Sequence, residues 1–209
     1  MLIKIFTANV GHIDTKQSII DQSIYHDYEV FTYPMEGLTD RQAGKYYKTA
    51  CLALQDVDIA IWLDHRVNVI GSKFVEWVKS AIEGQHMIIP QHPDRKTIAD
   101  EYKYILTNLD QPYLNVRYAN EDWQAEIDAY GKHLDAPLVN PRFFAIDLRK
   151  KLSRQILGDW YNHIIMYTIF DQCSISYLLH TYSASFKYIC PTWAHLSNYL
   201  EVTPHKELK

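Results

Sequence analysis

Val57-Asp-Ile-Ala-Ile-Trp-Leu63, followed at once by Asp64, is the stretch that decides the architecture. It is nearly continuous apolar sequence and too short for a core helix, so it reads as a strand buried on both faces near the centre of a sheet. Such a strand needs layers above and below it, and the flanking sequence supplies them. Upstream, Leu2 to Thr7 is a strand that ends at the polar turn Ala8-Asn9-Val10-Gly11, and Tyr28-Glu-Val-Phe-Thr32 is a second. Between Thr39 and Leu54, Ala43, Tyr46, Tyr47, Ala50, Cys51 and Leu54 recur at three- and four-residue steps, which predicts a helix capped by Thr39 or Asp40. Its other side is cationic at Arg41, Lys45 and Lys48.

Downstream, Val67 to Ile70 reads as a short return strand, and Ser72 opens a helix through Phe74, Trp77, Val78 and Ala81 that stops near Gly84. Met87-Ile-Ile-Pro90 is another strand, His92-Pro-Asp-Arg95 a polar loop, and a helix begins near Thr97. Residues 108–120 read as irregular, 121–130 as helix, and Arg142-Phe-Phe-Ala-Ile146 as strand. A long amphipathic helix runs through Leu148, Leu152, Ile156 and Trp160, Asp171-Gln172 heads another, and Phe186 to Pro191 is a strand leading into an aromatic loop. Strands alternating with helices predict an α/β domain with a mainly parallel central sheet flanked by helices. No linker or repeat interrupts the series, so residues 1–209 form one domain.

The 209 residues suffice to bury roughly 70% of the unfolded surface, so no disulfide scaffold is needed. A net charge of −4 gives the chain no global attraction for nucleic acid or an anionic membrane, and any phosphate binding must be local. Cys51, Cys173 and Cys190 are widely spaced, which fits a reduced, cytoplasmic compartment. No run reaches the roughly 20 apolar residues of a transmembrane segment. There is no G-x-G-x-x-G, Walker loop, G-x-S-x-G or H-E-x-x-H, so dinucleotide reduction, P-loop hydrolysis, α/β-hydrolase chemistry and zincin proteolysis lose their usual support.

Asp64 emerges at the sheet edge that α/β proteins use for ligands, although an Asp there also caps turns. If the strand continued, His65 would point away from it. His92, Asp94 and Arg95 either fix a phosphate or sugar hydroxyl or form a turn held by its own salt bridge. Arg41, Lys45 and Lys48 are either a solvated helix face or a convergence on a diphosphate, and Asp171 is either an N-cap or a working carboxylate.

Read in order, several stretches resemble a family of GT-A-type glycosyltransferase-like domains, among them bacterial capsular polysaccharide transferases. Lys4 to Gly11 with Asp14 is similar to its "T-A-x-x-G-x-x-D" turn, Arg41 to Lys48 to its "R-x-x-K-Y-Y-K" helix, and Ile61-Trp-Leu-Asp64 to its "I-W-I-D" strand end. His92 to Arg95 with Asp100-Glu101 is similar to its "H-P-x-R" and "D-E", and Asp171-Gln172 with Ser174, Ser176 and Tyr177 to its "D-Q-x-S-x-x-Y". His65 and Phe170 depart from the family's small residue and Arg at those places, and Asn140 to Ile146 matches its "G-x-x-x-R" strand poorly.

The resemblance implies a GT-A-like fold and a glycosyltransferase that uses a nucleotide-sugar donor, a glycan or polysaccharide acceptor, and Mn²⁺ or Mg²⁺. It implies Asp64 at the metal and diphosphate with His195 completing the metal shell, and Arg41, Lys45 and Lys48 at phosphate. Thr7, Ala8, Asn9 and Asp14 would stand at the nucleotide, His92 and Arg95 at substrate, and Asp171 would be the general base. The alternatives are a catalytically inactive sugar-nucleotide or glycan-binding module, and a phosphotransferase or nucleotidyltransferase with a second acidic ligand nearby. Oligomeric state is not readable from the sequence.

Overall fold

A period-two alternation in the apolar strands places side chains on opposite faces of one sheet. Along β3 (Ile59–Leu63), Ala60 and Trp62 join one core while Ile59, Ile61 and Leu63 join the other. Neighbouring Ile5 and Phe6 of β1 (Ile3–Ala8) divide in the same way. In the computed structural model, which describes residues 1–11, 27–182, 186–189 and 196–202, this sheet has six strands in the order β2-β1-β3-β6-β5-β7. The others are β2 (Tyr28–Phe31), β5 (Met87–Pro90), β6 (Phe143–Asp147) and β7 (Phe186–Ile189). β1 pairs in parallel with β2 and β3, β5 pairs in parallel with β7, and β6 runs antiparallel between β3 and β5. The mainly parallel sheet expected from the apolar runs is present.

One face carries α1 (Asp40–Tyr46) with a π-helical turn (Tyr47–Cys51), α6 (Lys151–Met166) and α7 (Asp171–Thr181). Leu52, Ile156, Trp160, Ile175 and Leu179 pack there on Phe6, Trp62 and Phe144. The other face carries α2 (Phe74–Ala81) and a two-stranded sheet of β4 (Val67–Val69) and β8 (Leu200–Val202), through Phe74, Val78, Val67 and Leu200. A smaller cluster, built on α3 (Ile98–Thr107), α4 (Pro112–Tyr118) and α5 (Trp123–Tyr130), packs on the start of α7 through Phe170 and Cys173.

α4 corrects the irregular reading of 108–120. Pro112 opens it at the first helical position, where the missing N–H costs nothing, and Leu114 and Tyr118 bury one side four residues apart. The helix expected from Thr39 to Leu54 also divides, since a π-helical turn replaces regular helix after Tyr46. Its start is the expected one: the Thr39 hydroxyl accepts from the Gln42 amide, and the Gln42 side chain accepts from the Thr39 amide. Gly11, at the end of β1, has φ +82°, and a Cβ there would stand 2.4 Å from the Asp40 carboxylate. Glycine is therefore required where β1 passes the first turn of α1.

β1 pairs with β2 on one side and β3 on the other, so a topological switch point lies at the carboxyl ends of β1 and β3, where α/β sheets leave room for ligands. The buried Glu126 of α5 and the half-buried Glu121 just before it fix the segment that leads into α7. Ile169 N–H donates to Glu121 (2.9 Å), while Thr168 Oγ1 (2.8 Å) and Tyr130 OH (2.9 Å) both donate to Glu126. Burial pushes the Glu126 pKa up to about 7, although the hydroxyl donors oppose the rise.

A raised carboxyl pKa means that the folded state keeps a proton that the unfolded chain releases. The Glu126 contribution is complete below the unfolded value of 4.5 and is lost as pH rises through about 7. Glu126→Gln is expected to remove this slope. The stability difference between parent and variant, from urea denaturation across this range, should shift steadily in the variant's favour as pH rises; a flat difference would show that Glu126 is not the buried acid described.

Candidate functional site

Asp64 continues the alternation of β3, so its carboxylate lies on the same side as Trp62 and accepts from Trp62 Nε1 at 2.8 Å. That side faces the π-helical turn, where Lys48 Nζ donates to Asp64 Oδ1 at 3.1 Å. The same ammonium lies 2.8 Å from Asp171 Oδ2, and Lys45 Nζ lies 2.8 Å from that oxygen too. Lys45 and Lys48 are one helical turn apart, which lets them converge on one partner. Lys48 is nearly inaccessible, at 4% side-chain exposure, so the cationic side of this helix is turned inward instead of into solvent. Asp171 opens α7 without capping it, and its backbone is pinned by Trp160 Nε1 donating to its carbonyl at 3.0 Å.

These groups line a cleft of about 280 Å³ together with His65, Arg66, Tyr113, Arg117, Tyr118, Asn140, Arg142 and Phe170. The backbone explains the convergence. After Leu63 the polypeptide turns, Val67 N–H donating to the Asp64 carbonyl at 2.7 Å, so strand geometry stops and His65 lines the same cleft as Asp64 instead of pointing away. Asp64 N–H donates to the Arg142 carbonyl (2.8 Å) and Asn140 N–H to the Pro90 carbonyl (2.8 Å), which lays residues 140–142 across the carboxyl ends of β3 and β5.

Burial alone would raise the Asp171 pKa, but the charges of Lys45 and then Lys48 outweigh it and hold the carboxyl well below the usual carboxylate range. Burial lowers the Lys48 pKa, but Asp171 and Asp64 together raise it overall. Burial dominates at Lys45, whose pKa is lowered despite Asp171. Arg66 is also lowered, first by burial and then by the like charges of Arg117 and Arg142, with Tyr113 opposing.

The remaining expected residues fall elsewhere. Arg41 packs over the Tyr118 ring (4.4 Å) and donates to the Arg117 carbonyl (2.6 Å), holding α4 so that Tyr113 and Arg117 face the cleft. Thr7 is buried within β1, Ala8 packs against the core, and Asn9 is buried at the strand end, its Oδ1 without a partner among the described residues. His92 and Arg95 do not line the cleft. His92 Nδ1 accepts from the Asp94 and Arg95 amides (3.2 and 3.1 Å), Arg95 pairs with the buried Glu101, and burial followed by the Arg95 charge lowers the His92 pKa to about 4. The loop is thus a turn closed by the His92 ring and tied to α3 by the Arg95–Glu101 ion pair. Asp100 completes the capping box of Thr97, and Asp58 bonds Leu2 at the opposite end of β3 from Asp64. Asp14, His195 and Cys190 lie outside the described residues.

Sequence reasoning missed Arg66, Arg117 and Arg142 at the cleft. Arg66 was the readable one, two residues beyond the strand-end Asp64.

No family model and no curated protein matches the chain. Solved structures share its outline at low identity. A glycosyltransferase involved in glycosylation of the major capsid of PBCV-1 is 9% identical over 78% of this chain and 66% of that one, with TM-score 0.43. The galactosyltransferase LgtC is 10% identical over 88% and 72%, with TM-score 0.45. The 4-diphosphocytidyl-2C-methyl-D-erythritol synthase of Anaerococcus prevotii is 11% identical over 94% of each chain, with TM-score 0.45. The chain therefore spans just under two thirds of the first and nearly all of the last. No helix among the described residues is long and apolar enough to cross a membrane.

Asp171→Asn leaves two neighbouring ammonium groups without their shared counterion, and breaking a buried pair in this way costs about 3 kcal/mol. Urea denaturation at neutral pH is expected to show that loss. Because the Asp171 pKa is depressed, its contribution is complete above the unfolded value of 3.8 and is lost as pH falls below it, so parent and variant should converge in acid.

Proposed function

We propose that the chain is a glycosyltransferase that moves a sugar from a nucleotide-sugar donor to a glycan or polysaccharide acceptor. The charge of the cleft carries this reading. Lys45, Lys48, Arg66, Arg117 and Arg142 face two carboxylates, Asp64 and Asp171, a surplus of three positive charges at the ligand edge of an acidic α/β protein. The ordered motif resemblance agrees with it.

Glycosyl transfer breaks the bond between the anomeric carbon and a phosphate oxygen, and negative charge grows on the departing diphosphate. Cations already fixed in place stabilise that charge without reorganising. The surplus favours bound phosphate, and the exposed Tyr113 at the cleft offers an aromatic surface for a base or sugar. Asp171, expected as the base, is a weak proton acceptor while two ammonium groups hold it; in this reading it anchors Lys45 and Lys48.

A divalent ion does not fit the described donors. Asp64 Oδ1 already accepts from Lys48 and Trp62, Lys48 sits between the two carboxylates, and no three His, Cys, Asp or Glu side chains come together among the described residues. The sequence expectation of Mn²⁺ or Mg²⁺ at Asp64 and His195 therefore enters no step here.

A second reading, an inactive sugar-nucleotide or glycan-binding module, is favoured by one observation: both cleft carboxylates are engaged by lysine. A panel of nucleotide sugars separates the two. A donor at about 100 times its Kd should stabilise the protein by about 2.7 kcal/mol, or roughly 5–10 °C in Tm. The transferase reading further expects that donor to be hydrolysed or transferred. A Tm shift without turnover selects the sugar-nucleotide-binding module, and no shift with any nucleotide sugar removes both it and the transferase.

A further inference from the structure

Three guanidinium groups reach the cleft from three separate elements: Arg66 from the turn after β3, Arg117 from the last turn of α4, and Arg142 from the segment entering β6. None forms an ion pair with a carboxylate among the described residues, because the cleft's two carboxylates are both taken by Lys45 and Lys48. Arg66 is half-buried, and its Nε and Nη1 find no hydrogen-bond partner among the described residues. Arg117 is braced over the Tyr113 ring at 4.1 Å. The Arg142 backbone is held at both ends, its amide donating to Asn140 Oδ1 (3.3 Å) and its carbonyl accepting from Asp64 N–H (2.8 Å).

Arg117 and Arg142 are exposed, so their mutual repulsion is screened by water, and the cost falls on Arg66, a half-buried guanidinium with idle donors beside two like charges. A planar fork of donors matches phosphate oxygens in pairs, so a polyanion with several phosphoryl oxygens resolves both penalties at once. A divalent ion would instead add to the repulsion, and Lys48 already stands between the two carboxylates that it would need.

We propose that Arg66, Arg117 and Arg142 form a clamp for the donor's diphosphate, and that it binds diphosphate without a divalent metal ion. Lys45 and Lys48 then form the base of the site, with Asp64 and Asp171 fixing them, and the arginines form the wall that meets the ligand. The inference rests on the transferase reading only for the identity of the ligand, because the clamp recognises the diphosphate and not the sugar.

Isothermal titration with inorganic pyrophosphate in EDTA, and separately with Mn²⁺, tests it. Saturable binding in EDTA is expected. Arg66→Gln and Arg142→Gln should each weaken it about 10- to 100-fold, the range for hydrogen bonds to charged groups. Arg66→Lys, which keeps the charge but loses the fork, should fall between. Lys132→Gln, on an exposed turn away from the cleft, should leave it unchanged. Melting temperatures confirm that each variant is folded.

Binding that requires Mn²⁺, parent-like affinity in both glutamine variants, or no pyrophosphate binding under either condition would overturn the clamp. Metal-free, arginine-dependent pyrophosphate binding without turnover of any nucleotide sugar would leave the clamp standing and remove the transferase reading. Turnover that needs Mn²⁺ and ignores the arginine variants would do the reverse.

Discussion

The Lys48 ammonium, shared between Asp64 and Asp171, is the constraint on which the rest of the site depends. It joins three elements: the strand end of β3, the π-helical turn above the sheet, and the first residue of α7. A nearly inaccessible lysine is tolerable only with counterions at hydrogen-bond distance, so those elements cannot separate without exposing an unpaired buried charge. Much of the surrounding structure serves that requirement. Trp62 holds Asp64 from below, Trp160 pins the Asp171 carbonyl and lies under the Lys48 ammonium at 5.7 Å, and Glu121 and Glu126 fasten the residues just before Asp171.

This explains where much of the aromatic surplus goes. Of the sixteen tyrosines and five tryptophans, several stack to brace the helices that carry the charges. Tyr47 lies on Phe31 at 4.6 Å and binds the Tyr33 carbonyl, tying the π-helical turn to the edge of the sheet, while Tyr46 meets Tyr161 of α6. Tyr130 stacks on Tyr177 at 4.3 Å, joining α5 to α7. Offset and edge contacts of this kind add modestly to the area that they bury, but they fix orientation, which a site built on ion pairs needs most.

Local pattern was legible, and geometry across the chain was not. The buried β3, the strands beside it and the Thr39 cap follow from period and turn chemistry in one window of sequence. α4 was hidden because seven residues with two apolar positions scarcely show a helical period, although Pro112 marked its start. The inward turn of Lys45 and Lys48 was beyond reach, since spaced cations on a helix usually face water and only a distant carboxylate, Asp171, reverses that. The His92 loop carried both readings in its sequence, and the pairing of Arg95 with the buried Glu101 of α3, six residues on and outside the loop, belonged to neither. Arg117 and Arg142 owe their place to the packing of α4 and to the antiparallel β6, which no short window contains.

The chain is acidic overall, yet its cleft is cationic, because of where the carboxylates are placed. Asp64 and Asp171 contribute to the negative total, but within the site they are consumed in holding two lysines, so they neutralise cations that would otherwise repel one another. What remains facing the cleft is guanidinium without a carboxylate partner among the described residues. An acidic exterior repels bulk anions only over about a Debye length, roughly 8–10 Å at physiological salt, whereas a ligand inside the cleft meets fixed positive groups in a medium less polar than water. Net charge is a property of the whole surface, whereas the charge of a cleft follows from which carboxylates the fold brings to it.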